Sequence, residues 1–215
     1  MDPLLIFFLL ALIFSIIVHE VSHGFAAELQ GDPTARLQGR LTLNPIPHID
    51  PIGSVLIPAI LVFANTGFLF GWAKPVPYNP YNLRNQKWGE AIVAAAGPGV
   101  NILLALVFGT VVRFGTGALP PAFIELAGVV VFINIMLAFF NLIPIPPLDG
   151  SKLLKSILPY RASLAFQRFE TLLMSGGILI TLLFFWLMMQ LVGGYFFLAL
   201  TSIYTLFTGH PSPFS

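Results

Sequence analysis

The sequence predicts an all-α polytopic membrane protein with about four to six membrane segments, one of them re-entrant over 51–70. Three observations carry this. Hydrophobic residues make up 57% of the 215 and charged residues only 9%, against roughly 25% charged in a soluble domain. Apolar stretches near the ~20 residues that a helix needs to cross a bilayer recur along the chain. Prolines, glycines and most of the charges collect between those stretches, as expected of loops.

The first stretch runs from Pro3 to about Glu28 and is closed by Gly31-Asp32-Pro33. Pro3 suits a first helical position, where its missing N–H is no loss. The stretch has no positive leader and holds His19, Glu20 and His23, so it reads as a retained span rather than a cleaved signal. A polar, Pro-rich connection follows, from Gln30 to Pro51 with Arg36 and Arg40. The second stretch, Pro51 to Phe70, carries Pro58 in its middle. A turn-rich loop from Gly71 to Trp88 holds Pro75, Pro77 and Pro80. The third stretch runs from Glu90 to Phe114. The fourth runs from about Ala122 to Ile145 and breaks at Pro144, Pro146 and Pro147. A polar loop is expected from Asp149 to Thr171, with Lys152, Lys155, Arg161 and Arg168. The last apolar region, Leu172 to Phe207, is interrupted by Gly193-Gly194 and reads as one span plus a short interfacial helix, or as two spans. No repeat divides the chain, and residues 1–215 read as one membrane-embedded domain.

There is no cysteine, which excludes disulfides, thiolate ligands and a thiol nucleophile. The net charge is +1, and no basic run marks a nucleic-acid face. The partners expected are the bilayer and other membrane proteins.

The first stretch contains His19-Glu20-Val21-Ser22-His23, an H-E-x-x-H motif. Residues four apart share one helix face, so both imidazoles can reach one Zn²⁺ with Glu20 beside its bound water. Zinc lowers the pKa of that water and Glu20 can take the proton. Ionisable side chains inside a span are costly and mark function, and three within five residues do not read as packing.

A catalytic zinc takes three protein ligands and keeps one position open. The polar candidates for the third are His48, Asp50, Asp149 and His210; Glu90, Glu125 and Glu170 lie near span ends with no helix break beside them. Asp149 stands out, because the prolines before it can end the helix and turn the carboxylate inward. If Asp149 shares a metal with His19 and His23, the first and fourth stretches run in the same direction. One of the two stretches between them then does not cross. Pro51 to Phe70 is that one, since Pro58 interrupts it and broken backbone is tolerated where protein or a wet cavity satisfies it. Charge agrees independently: nine of the ten Lys and Arg then fall on one side, with Arg113 alone on the other, which makes the first side cytoplasmic.

These motifs resemble the site-2 protease family of intramembrane metalloproteases. The residues that carry the resemblance are His19-Glu20-Val21-Ser22-His23, Leu148-Asp149-Gly150 and Gly97-Pro98-Gly99-Val100-Asn101. The stretches Leu37 to Pro45 and Phe70 to Pro77 resemble a compact prokaryotic branch without PDZ-like or CBS-like additions. The resemblance implies that His19, His23 and Asp149 bind one zinc per chain and that Glu20 activates water. It implies that Asn101 and Asn141 help near the site, on substrate backbone or oxyanion. The function expected is hydrolysis of peptide bonds in or near transmembrane segments of substrate proteins, by a multi-pass cell-membrane enzyme whose active site lies nearer the cytoplasm.

Two other readings compete. A membrane metal transporter would want ligands at several depths, whereas the candidates here converge on one. A non-catalytic protein that binds transmembrane helices would not need the intact His19, Glu20, His23 and Asp149 set. Of the remaining polar residues, Asn101 and Asn141 can also serve helix contacts or carbonyls freed by prolines. His48 and Asp50 read as an interfacial residue and a helix cap, or as groups near the zinc mouth. Pro75 to Pro77 reads as a surface turn or an extended edge open to strand addition by substrate. His210 reads as a solvated tail residue, and Trp72, Trp88 and Trp186 as interface anchors or packing.

Overall fold

The computed structural model describes residues 3–63 and 71–213, and no strand occurs among the described residues. Helix α1 spans Pro3–Leu29, α2 the short turn Thr34–Leu37, α3 Ile57–Phe63 and α4 Gly89–Gly115. Then come α5, Pro121–Asn141, α6, Asp149–Ile157, α7, Tyr160–Ser175, and α8, Gly177–Thr208. Four of them, α1, α4, α5 and α8, are long and apolar enough to cross a membrane.

Helices α1, α4 and α5 form the inner bundle, and α8 leans on α4 and α5. Ala105 and Val112 of α4, Val131 and Ile135 of α5, and Leu200 and Tyr204 of α8 share one buried cluster. The outward faces stay apolar: Leu10 and Phe14 on α1 and Leu183, Trp186 and Leu191 on α8 are exposed, as lipid requires.

Side-chain pairs fix the directions. On α4, Val93, Ala96 and Asn101 meet His23, Ser22 and His19 of α1 in that order, so the two helices are antiparallel. Ser15 meets Asn134, and His19 and His23 meet Asp149 beyond the end of α5. Helices α1 and α5 therefore run the same way, as the sequence predicts. Arg113 donates to the Leu206 carbonyl at 2.9 Å, so α4 and α8 end together at the opposite face.

The predicted re-entrant stretch opens with a π-helical turn, Pro51–Leu56, and continues as α3; its last part, residues 64–70, lies outside the described residues. Its two ends are tied together. Trp72 N–H donates to Gly53 O at 3.1 Å, Lys74 N–H to His48 O at 2.9 Å, and the Ser54 hydroxyl to Trp72 O at 2.8 Å. A chain that returns to its starting point has not crossed.

Two expectations need correction. The loop predicted over 149–171 is two helices, α6 and α7. Its charges hide apolar residues at helical spacing, Leu153, Leu154 and Ile157 in α6, and Phe169, Leu172 and Leu173 in α7. The last apolar region, predicted from Leu172, gives its first residues to the end of α7 and from Gly177 is one continuous helix of 32 residues. That is ~48 Å at 1.5 Å per residue, well over the ~30 Å hydrocarbon core. Gly193 and Gly194 do not break it, because lipid offers the backbone no partner better than its own helix.

Candidate metal centre

The H-E-x-x-H pair lies well inside α1, and both histidines are buried. Their Nε2 atoms are 3.1 Å apart. Asp149 Oδ2 stands 3.2 Å from His19 Nε2 and 3.1 Å from His23 Nε2. Ligand-type atoms of His19, Glu20 and His23 also lie within 4.8 Å of one another.

Each imidazole is aimed by α4. His23 Nδ1–H donates to the Val93 carbonyl at 2.7 Å, and His19 Nδ1–H to Asn101 Oδ1 at 2.6 Å. Both Nε2 lone pairs therefore point at the shared centre, as metal-ligating histidines require. Helix α4 comes this close because position 97 is glycine: a Cβ there would lie 2.5 Å from both His19 Cε1 and His23 Nε2.

Asp149 is brought in from the other side. Helix α5 ends at Asn141, and the prolines of 142–148 carry the chain round to Asp149, the first residue of α6. Gly150 packs on the outgoing turn so closely that a Cβ would meet Leu142 O at 2.2 Å and Ile143 O at 2.5 Å. Asp149 is buried, with its Oδ2 facing both Nε2 atoms.

The donor set fits zinc. A tetrahedral centre with bonds of ~2.0–2.1 Å separates its ligand atoms by about 3.3–3.4 Å. The three observed separations fall within roughly 0.3 Å of that before any metal draws on them. Two imidazoles and one carboxylate, with no thiolate in the chain, suit zinc and leave a fourth position open.

Glu20 faces a different neighbour. Its Oε2 accepts the Val76 N–H at 2.9 Å. Val76 belongs to a segment over 71–79 without regular secondary structure, in which the N–H groups of Trp72 and Lys74 are spent on Gly53 and His48 and that of Asn79 on Asp32. Arg40 holds Lys74 O at 2.7 Å. The residues between, Pro75 and Pro77, have no N–H. An added strand would find only carbonyls at those two positions.

The other polar candidates go elsewhere. Asn101 is fully buried and bonded to His19 and Asn134. Asn141 turns back on its own helix, donating to Leu137 O at 2.9 Å. Asp50 caps the Pro51–Leu56 turn, accepting from Ile52 and Gly53 N–H. His48 is buried, with Nε2 2.9 Å from Thr42 O, and His210 is exposed. The sequence reading passed over Ser15 and Asn134. The signal for Asn134 was present, since an amide in the middle of an apolar span needs a partner.

Apolar spans surround a His, His, Asp cluster with an adjacent glutamate, an arrangement that fits a zinc-dependent membrane metalloprotease. The chain belongs to peptidase family M50, whose family model matches residues 117–184. Relatives agree. The chain is 36% identical over 160 residues to "Putative zinc metalloprotease YwhC" of Bacillus subtilis, covering 71% of this chain and 69% of that one. It is 31% identical over 136 residues to "Putative zinc metalloprotease Rip2" of Mycolicibacterium smegmatis, covering 63% of this chain and 51% of that one. It is 32% identical over 152 residues to "Putative zinc metalloprotease sll0528" of Synechocystis, covering 69% of this chain and 30% of that one. The chain thus spans about half the length of the mycobacterial relative. No solved structure gives a significant match.

Proposed function

We propose that this protein hydrolyses peptide bonds in or beside transmembrane segments of other membrane proteins, holding zinc with His19, His23 and Asp149 and using Glu20 as general base. The observation that carries the reading is the convergence of His19 Nε2, His23 Nε2 and Asp149 Oδ2 to separations of 3.1–3.2 Å among apolar spans, with Glu20 beside them.

Bound zinc supplies a polarised carbonyl and a water acidic enough to deprotonate near neutral pH. The chain does the rest. Val76 N–H anchors Glu20 Oε2 and leaves Oε1 to accept the water's proton and return it to the leaving amine. His19 and His23 are pre-oriented by α4, so no rearrangement opposes the reaction. The buried setting excludes bulk water and strengthens each charge interaction. A substrate span arrives from the bilayer and has its helix locally opened, since helical carbonyls are hidden. Nine of the ten Lys and Arg lie in the segments at the site's end of the bundle, which supports a cytoplasmic position for the site.

The test is Glu20→Gln. Gln keeps an acceptor for Val76 N–H but cannot take a proton. Bound zinc stays at the wild-type level, and cleavage of a model transmembrane substrate by the detergent-purified protein falls at least ~100-fold. Cleavage at the wild-type rate overturns the role of Glu20. Zinc flux into vesicles without any cleavage points to transport instead.

A further inference from the structure

Behind His19 a chain of hydrogen-bonded polar side chains joins three spans. Asn101 of α4 accepts at Oδ1 from His19 Nδ1–H at 2.6 Å and donates from Nδ2 to Asn134 Oδ1 of α5 at 2.7 Å. Asn134 Nδ2 donates to Ser15 Oγ of α1 at 3.0 Å and to the Val130 carbonyl at 2.9 Å. Ser15 and His19 stand four apart on α1, so the chain of bonds begins and ends on the same helix. Asn101 and Asn134 are fully buried and Ser15 nearly so.

The orientation of every group follows from one fixed point. The Val130 carbonyl can only accept, so the end of Asn134 that faces it is the NH₂. The other end, Oδ1, therefore faces Asn101 and requires an NH₂ there. Asn101 must then present its carbonyl oxygen to His19, and His19 must carry its proton on Nδ1. Only that tautomer leaves Nε2 free for a metal. If the Asn101 amide turned over, its NH₂ would face His19 and its oxygen would meet the Asn134 oxygen, leaving two acceptors opposed at 2.7 Å in a dry interior.

We propose that Asn134 is a positioning residue of the zinc site: acting through Asn101, it fixes the tautomer and ring direction of His19 although it does not touch the metal. The inference rests on His19 being a zinc ligand.

The test compares zinc affinity of the purified full chain, by chelator competition, for the wild type, Asn134→Leu, Asn101→Leu and the double variant. Leu keeps the branched four-atom skeleton of the Asn side chain and removes the amide. Asn134→Leu weakens zinc binding ~10–100-fold, the usual effect of losing a ligand's supporting partner. In the Asn101→Leu background the same change adds nothing, because the path to His19 is already cut. A merely structural Asn134 would lower the thermal midpoint in both backgrounds and leave zinc affinity of the folded protein alone. Unchanged affinity, or full additivity, overturns the proposal.

If Asn134→Leu does not fold, ¹⁵N-histidine spectra of the zinc-loaded wild type decide it. Protonated Nδ1 and metal-bound Nε2 on His19 support the proposal, and the reverse overturns it. A wild type that binds no zinc at all would instead defeat the metal reading itself.

Discussion

Replacing Gly97 by alanine is the sharpest probe of how the metal centre is built. The added Cβ would lie 2.5 Å from His19 Cε1 and His23 Nε2 and 2.6 Å from His19 Nε2. Ordinary heavy-atom contacts sit at ~3.5–4.0 Å, so something moves by about 1 Å. If the imidazoles move, they leave positions that a metal tolerates to only ~0.2 Å. If α4 withdraws, it takes Val93 O and Asn101 Oδ1 with it, and those atoms aim the same two rings. Both escapes damage the site. Zinc affinity is expected to fall at least ~100-fold, about 2.7 kcal/mol. The control is Gly99→Ala, two residues on in α4, where an added Cβ meets nothing within 4 Å. It should keep zinc and add up to ~1 kcal/mol of helix stability. The assay is zinc content and chelator competition on detergent-purified protein, with thermal midpoints alongside. Wild-type zinc affinity in folded Gly97→Ala would refute the account of α4 as the wall that positions both histidines.

Two further outcomes follow from groups away from the metal. Asp32 is fully buried and accepts from Thr34, Asn79 and Asn82; burial raises its carboxyl pKa, but these bonds outweigh it and hold the group below its ordinary 3.8. Its folded pKa is thus below its unfolded one, so its stabilisation is complete above about pH 4 and fades as pH falls through the folded value; Asp32→Asn should cost about 2 kcal/mol or more of stability at pH 7, read as a lower thermal midpoint, and the two midpoints should converge as pH falls through that folded value. Asn141→Ala should leave zinc affinity within about twofold of wild type, far short of the loss expected for a residue supporting a ligand, because its amide serves Leu137; a tenfold loss in chelator competition would show that Asn141 supports the ligands after all.

What was legible in the sequence was what is local. His19, Glu20 and His23 sit within five residues, so one helical turn brings them together without help from the fold. The parity of spans was legible because prolines and charges are themselves local signals, at Pro58 and along the Lys and Arg positions. The hydrogen bond from Val76 to Glu20 joins residues 56 apart, and that from Asn134 to Ser15 joins residues 119 apart. No periodicity records such pairs. Asn101 and Asn141 drew notice because each lies near a Gly-Pro or Pro-rich motif, while Asn134, with no motif around it, drew none. Helices α6 and α7 were hidden for a different reason. Their charges suggested a loop, and only the spacing of the apolar residues between those charges shows the helical face.

The walls of the site share one device. Helix α4 closes on the histidines at Gly97, the turn bearing Asp149 closes on the Leu142 and Ile143 carbonyls at Gly150, and the segment bearing Val76 lies on α1 at Gly24, where a Cβ would meet Leu41 Cδ2 at 2.5 Å and Val76 Cγ1 at 2.9 Å. Gly24 follows Glu20 by four residues, on the same face of α1. Each wall therefore comes to the proposed metal ligands, His19, His23 and Asp149, or to the proposed base, Glu20, at a position with no side chain. In a membrane this matters more than in water. Lipid does not force helices together, so close approach and hydrogen bonds carry the association. Close approach in turn lets backbone groups, Val93 O and Val76 N–H, serve as the partners of His23 and Glu20. Backbone partners at that distance hold their direction as long as the helices stay in contact, so the precision of the site and the packing of the spans are one property.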